Sequence, residues 1–149
     1  MLMTTASTSA QQPAPPAQPM PRAVAAATPR VFGSDTGLVL NFIKPDRTAD
    51  FEAVVEKMKD ALGKSANPQR KQQAASWRVF KAQDPAAGGA ALYVYIVDPA
   101  VKGADYSVVG ILSEAFTGDE LTALTKRYSE AYASGQNFVN LALVSDLGK

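Results

Sequence analysis

Ala91-Leu92-Tyr93-Val94-Tyr95-Ile96-Val97 decides the fold. It is a run without a charge, rich in branched and aromatic side chains. It lies between the turn Asp84-Pro85-Ala86-Ala87-Gly88-Gly89 and the breaker Asp98-Pro99, and so predicts a β-strand. Its faces do not divide into apolar and polar, because Leu92, Val94 and Ile96 oppose Tyr93, Tyr95 and Val97. A strand apolar on both faces needs cover on both.

The turn at Asp84–Gly89 joins this strand in a hairpin to an earlier one around Ala75 to Lys81. Before that, Lys64 to Gln73 is polar and reads as a loop broken at Asn67-Pro68, with Arg70-Lys71 as a solvated basic pair. Upstream, Phe51, Val54, Val55, Met58 and Leu62 follow helical spacing, with Asp46 or Thr48 as cap and Gly63 as stop. Leu38-Val39-Leu40-Asn41-Phe42-Ile43 reads as the first strand. Downstream of the hairpin, Asp105 is placed to cap a helix carrying Val108, Val109, Leu112 and Phe116. Thr117-Gly118-Asp119-Glu120 then fits a capping box. The renewed helix would present Leu121, Leu124, Tyr128, Ala131 and Tyr132 on one face and stop at Gly135, leaving Phe138 to Val144 as the last strand.

The resulting order, β-α-β-β-α-β, predicts an α+β domain of the ferredoxin-like kind: a four-stranded antiparallel sheet with its helices on one face. The other face should then be polar. Instead the first strand sets Leu38, Leu40 and Phe42 against Val39 and Ile43, and the last strand is apolar on both sides as well. An open apolar sheet face is larger than a soluble monomer usually tolerates, so a second copy stacked face to face is expected. The domain is placed at residues 31–149, preceded by a tail over residues 1–30.

That tail is Ala-, Pro- and Gln-rich, with prolines at positions 13, 15, 16, 19, 21 and 29 and no acidic residue before Asp35. No apolar face can be drawn through it, and it reads as a disordered linker. Small residues ending in Thr8-Ser9-Ala10 before Gln11-Gln12 are similar to the cleavage region of a secretory signal. The basic start and apolar run of such a signal are missing. Periplasmic or secreted location is the expectation on that ground, with a cytoplasmic tail as the alternative. No stretch approaches the ~20 apolar residues of a membrane span.

Histidine and cysteine are both absent. This removes thiolate chemistry, disulfides, imidazole haem ligation and every nucleophile that needs a histidine base. Without Arg22 and Arg30, 13 of the 15 basic residues face 14 acidic ones. A near-neutral domain gives no reason to expect a nucleic acid as partner. Tyr93-Val94-Tyr95-Ile96 resembles the base-stacking strand of RNA-recognition domains, but the basic-glycine lead-in is replaced by Gly89-Ala90-Ala91-Leu92. The carboxylates Asp46, Asp50, Glu52, Asp105, Asp119 and Glu120 gather at helix starts, where capping accounts for them.

A ferredoxin-like chain with two apolar sheet faces resembles the dimeric α+β barrel superfamily over roughly Leu38 to Val144. Asp98-Pro99-Ala100-Val101-Lys102-Gly103-Ala104-Asp105-Tyr106, followed by Ile111-Leu112-Ser113-Glu114-Ala115-Phe116, is similar to a stretch of exported bacterial members without known activity. The resemblance implies a homodimer and a space between sheet and helices for a small apolar or aromatic ligand. Haem-binding members use an axial histidine, which this chain lacks, and no cofactor is expected. Members similar to antibiotic-biosynthesis monooxygenases work without a cofactor on aromatic substrates held beside Asn, Trp, Tyr or His. Asn41, Trp77, Tyr128, Tyr132 and Asn140 are the candidates for such a pocket; Tyr106 is placed on the same helical segment as the last two tyrosines. Asn41 and Asn140 interrupt apolar strands and need a partner if buried, whereas Trp77 and the tyrosines equally suit a core.

Overall fold

Four antiparallel strands and four helices make up the described part of the chain, residues 29–149, in a computed structural model. The tail over residues 1–28 lies outside the described residues. In chain order the elements are β1 (Thr36–Ile43), α1 (Thr48–Lys64), α2 (Pro68–Ser76), β2 (Trp77–Lys81), β3 (Ala91–Val97), α3 (Val108–Ala115), α4 (Gly118–Ala131) and β4 (Tyr132–Leu141). The strands lie in the order β2-β3-β1-β4, every neighbour antiparallel. Each β-α-β half is split by a strand of the other half, an α+β arrangement compatible with the ferredoxin-like one.

The pleat sorts the two faces. Val39, Asn41 and Ile43 of β1 and Tyr93, Tyr95 and Val97 of β3 are buried, and they join Phe51, Val54, Met58 and Leu62 of α1 and Ile111 and Leu112 of α3 in one core. The opposite face carries Leu38, Leu40, Phe42, Leu92, Val94, Ile96 and Val139, all half-buried, and Phe80, which is 48% exposed. Register sets Phe80, Val94, Leu40 and the polar Asn137 in one row and Arg78, Ile96, Leu38 and Val139 in the next. The apolar surface continues along the chain through Leu141 to Leu143 and Val144, which are 83% and 98% exposed.

The first strand and the hairpin of β2 and β3 form as expected, but several boundaries move. Lys64 to Gln73 is not a loop: α1 runs through Gly63, and Asn67 caps α2 by accepting from Gln69 N at 3.0 Å, with Pro68 supplying the fixed φ of a first helical residue. Nor is Arg70 solvated. At 6% exposure, its guanidinium grips Glu114 of α3 through Nε (3.0 Å to Oε2) and Nη2, donates to Gln73 Oε1 at 2.8 Å, and also reaches Asp105 O. The fork locks α2 onto α3.

Neither Asp46 nor Thr48 caps α1; a one-turn 3₁₀ segment at Pro45–Arg47 leads into it. Ser107, not Asp105, caps α3, and Thr117 makes no side-chain cap on α4. Tyr106 precedes α3 rather than lying on a helix. The largest shift concerns the last strand. α4 ends at Ala131, and Tyr132 turns directly into β4, with Lys44 N bonded to Ala131 O at 2.8 Å and Ile43 paired with Tyr132. Gly135 is therefore inside a strand, not at a helix stop, and the strand ends at Leu141. β4 is an edge strand paired only to β1, where glycine and small polar residues are tolerated.

Among the described residues no helix is long and apolar enough to cross a membrane.

Candidate functional site

The direct passage from α4 into β4 brings three of the predicted residues together. Tyr128 stands on the last turn of α4, Tyr132 opens β4 and Asn41 lies opposite on β1. Asn41 is wholly buried, and its amide nitrogen donates to Tyr93 O at 3.2 Å. Its Oδ1 accepts from the Tyr132 hydroxyl and from Gln136 Nε2, each at 2.8 Å. The Tyr128 and Tyr132 hydroxyls are hydrogen-bonded at 2.6 Å, and Gln136 Nε2 also lies 3.2 Å from Tyr128 Oη. One proton per phenol satisfies this set when Tyr128 donates to Tyr132 and Tyr132 to Asn41.

Gln136 is the member that the sequence reading missed. With Gly135 read as a helix stop, Gln136 falls in a loop; only the repeat of four in Tyr128, Tyr132 and Gln136 hinted at a shared side. Tyr95 is the second omission. It is 1% exposed, lies in the same row of the sheet as Val39 and Phe138, and its buried hydroxyl sits beside that of Tyr128. Its place in an alternating apolar strand concealed it among core residues.

A half-open cleft of about 230 Å³ lies where β1, β3 and β4 meet the start of α3 and the end of α4. Val39, Tyr106, Val108 and Phe138 form its apolar walls; Tyr95, Tyr128, Gln136, Ser107 and Arg30 supply its polar groups. Burial holds the phenols of Tyr95, Tyr128 and Tyr132 above their ordinary range, most strongly for Tyr95 and Tyr132, where the neighbouring Tyr128 adds to the effect. All three are neutral donors at physiological pH, not bases. The cleft's α3 edge is shaped by a compact cap: Asp105 accepts from Ser107 N and Oγ at 2.9 and 2.7 Å, and Ser107 Oγ accepts from Gly110 N at 3.2 Å. A Cβ on Gly110 would come within 2.4 Å of Ser107 Oγ, so only glycine admits this cap.

The other two predicted residues lie apart. Trp77 packs edge-on against Tyr95 and Tyr106, with centroids 5.5 and 5.2 Å away, and its indole N–H is buried without a partner among the described residues. It borders a separate groove of about 300 Å³ between α1 and β2, with Val55, Met58 and Leu62. Asn140 is exposed and accepts from Gly33 N at 2.8 Å, tying the entry to β1 against β4. It is a structural tether.

A third polar group, Glu52 with Tyr93 and Lys81, lies at the outer end of the sheet. The Tyr93 hydroxyl bond, then that from Lys81, holds the Glu52 carboxyl below its usual range. Among the described residues no three acidic side chains gather as a metal site would require.

No family model, curated protein or solved structure matches this chain.

Proposed function

We propose that the protein is a small homodimeric α+β barrel of the ferredoxin-like kind that binds a small apolar or aromatic molecule in the cleft between β3, β4 and α3. The observation that supports the binding reading is the cleft itself, a half-open space of about 230 Å³ with apolar walls of Val39, Tyr106, Val108 and Phe138 and with Ser107 and Gln136 as polar groups. The homodimer rests on the opposite sheet face. Each of its two rows is apolar over three strands, Phe80, Val94 and Leu40 in one and Ile96, Leu38 and Val139 in the other, with Asn137 and Arg78 as the fourth members. A second copy offers a surface of the same width and character, as a two-fold interface requires.

The cofactor-independent monooxygenase reading has less support. Asn41 spends its side chain on the sheet and on Tyr132 and Gln136, and the tyrosines are held protonated. Binding is tested by ligand-observed NMR with single-ring compounds against the full chain and a Val109→Trp variant, which narrows the cleft. Binding should be present in the first and weakened at least tenfold in the second. Absence of binding by every single-ring compound would overturn the ligand reading. Sedimentation equilibrium giving the 15.7 kDa chain mass alone would overturn the dimer.

A further inference from the structure

The neutral side chains of the cleft have no proton to give, and Asn41 is the reason. Its Nδ2 lies 3.4 Å from Val39 O and 3.2 Å from Tyr93 O. Carbonyls only accept, so this amide has one orientation, with Oδ1 toward Tyr132 and Gln136. An oxygen there needs donors around it. Gln136 therefore turns its NH2 group inward: one proton goes to Asn41 Oδ1 at 2.8 Å, the other to the Tyr128 and Tyr132 oxygens at 3.2 and 3.3 Å. Both of its protons are spent. What Gln136 has left is Oε1, which accepts from no described residue and, unlike the network beneath it, is not closed to solvent.

The other neutral groups on the wall are spent in the same way. The Ser107 hydroxyl donates to Asp105 Oδ2 at 2.7 Å and accepts from Gly110 N at 3.2 Å, so toward the cleft it can only accept again. Tyr128 gives its proton to Tyr132 at 2.6 Å, and Tyr132 gives its own to Asn41. The Tyr95 hydroxyl lies beside that of Tyr128 and is closed to solvent. Among the side chains that line the cleft, only the exposed Arg30 keeps free donors. A ring carrying an acceptor alone would set oxygen against oxygen at Gln136, whereas an O–H or N–H on the ring would complete the amide. Val39, Tyr106, Val108 and Phe138 select an apolar body. The cleft's volume of about 230 Å³ admits one ring and is smaller than the ~300–1,000 Å³ of pockets for drug-sized ligands.

We infer that Gln136 Oε1 sets the specificity of the cleft, and that the ligand is a neutral single-ring compound bearing an O–H or N–H donor. The inference rests on the ligand-binding reading above and narrows it to donor-bearing rings. The test is isothermal titration of the full chain with benzyl alcohol and with anisole, isomers of which only the alcohol donates, repeated with Gln136→Met. Methionine keeps the length of the side chain, and since Gln136 gives protons to the network and takes none, its loss strands no donor. Comparing the ratio of the two affinities between the two proteins cancels the different hydrophobicity of the isomers. The preference for benzyl alcohol over anisole should be about two- to tenfold greater in the unsubstituted chain, the range of one hydrogen bond. Gln136→Leu gives the same reading should the methionine variant lose its far-ultraviolet circular dichroism. A ratio that is the same in parent and variant would overturn the donor assignment while leaving the ligand-binding reading in place. Binding of neither isomer would overturn both.

Discussion

The Tyr132 hydroxyl lies 2.8 Å from Asn41 Oδ1, joining two residues 91 positions apart at the point where α4 passes into β4. Asn41 is wholly buried, so removing its amide strands the Tyr132 proton and one Gln136 donor and frees Tyr93 O. Asn41→Val should destabilise the fold by roughly 3 kcal/mol, at about 1–3 kcal/mol for each group left without a partner. Tyr132→Phe should cost about 1 kcal/mol, and the double variant less than the sum. Urea unfolding of the four proteins measures this, and strict additivity would show that the pair is not a unit.

All five tyrosines have phenols raised above their ordinary range, burial being the largest cause in each. The unfolded chain releases these protons near pH 10 while the folded chain keeps them. Above that pH the unfolded state binds fewer protons, so stability is intact below about pH 10 and falls as pH rises further. The slope approaches about 1.4 kcal/mol per pH unit for each tyrosine still protonated in the fold. Tyrosinate absorbance should therefore appear together with loss of tertiary structure. Five phenols titrating near pH 10 in a folded protein would contradict it.

How much of this was legible beforehand follows from where each residue sits. The strand Ala91–Val97 announced itself through composition and bounding breakers, and the face of α1 through its spacing. Asn41 was visible as the polar interruption of an apolar strand. The site's other half was hidden because its geometry depends on a junction without a turn. Tyr132 continues the helical spacing of Leu124 and Tyr128, yet its backbone is already extended (φ −73°, ψ 129°), drawn into register by Ile43 and by Lys44 N. Tertiary pairing overrode local periodicity there, and with it went Gln136. Arg30 was hidden for a different reason: it stands at the border of the proline-rich tail, and only the contact with Asp105 brings it to the cleft.

The open sheet face gives a direct test of assembly. Phe80 projects from β2 beside Val94 and Leu40 and is 48% exposed in the single chain. Phe80→Glu should leave far-ultraviolet circular dichroism unchanged, because the side chain lies outside the core. Across a two-fold interface it would desolvate a carboxylate on each copy, so light scattering should move from twice the chain mass to the chain mass. An unsubstituted protein that is already monomeric, or a Phe80→Glu variant that remains a dimer, would count against the stacked-sheet arrangement.

Gly37 leaves no room for a side chain. A Cβ there would come 2.1 Å from the Phe32 ring, which is itself 3% exposed, stacked on Phe138 at 4.0 Å between centroids and edge-on to Tyr106 at 5.0 Å. The ring can move only by pushing on Phe138 and Tyr106, both of which also line the cleft. Gly37→Ala should cost about 1–3 kcal/mol, the usual range for overpacking, and should displace Phe138 into the cleft. Adding Phe32→Leu removes the clash, at the expense of the aromatic stack, and should recover part of the loss. The pair is read by thermal unfolding together with ligand-observed NMR of single-ring compounds. A Gly37→Ala protein as stable as the parent would mean that the Phe32 ring is not confined by its neighbours.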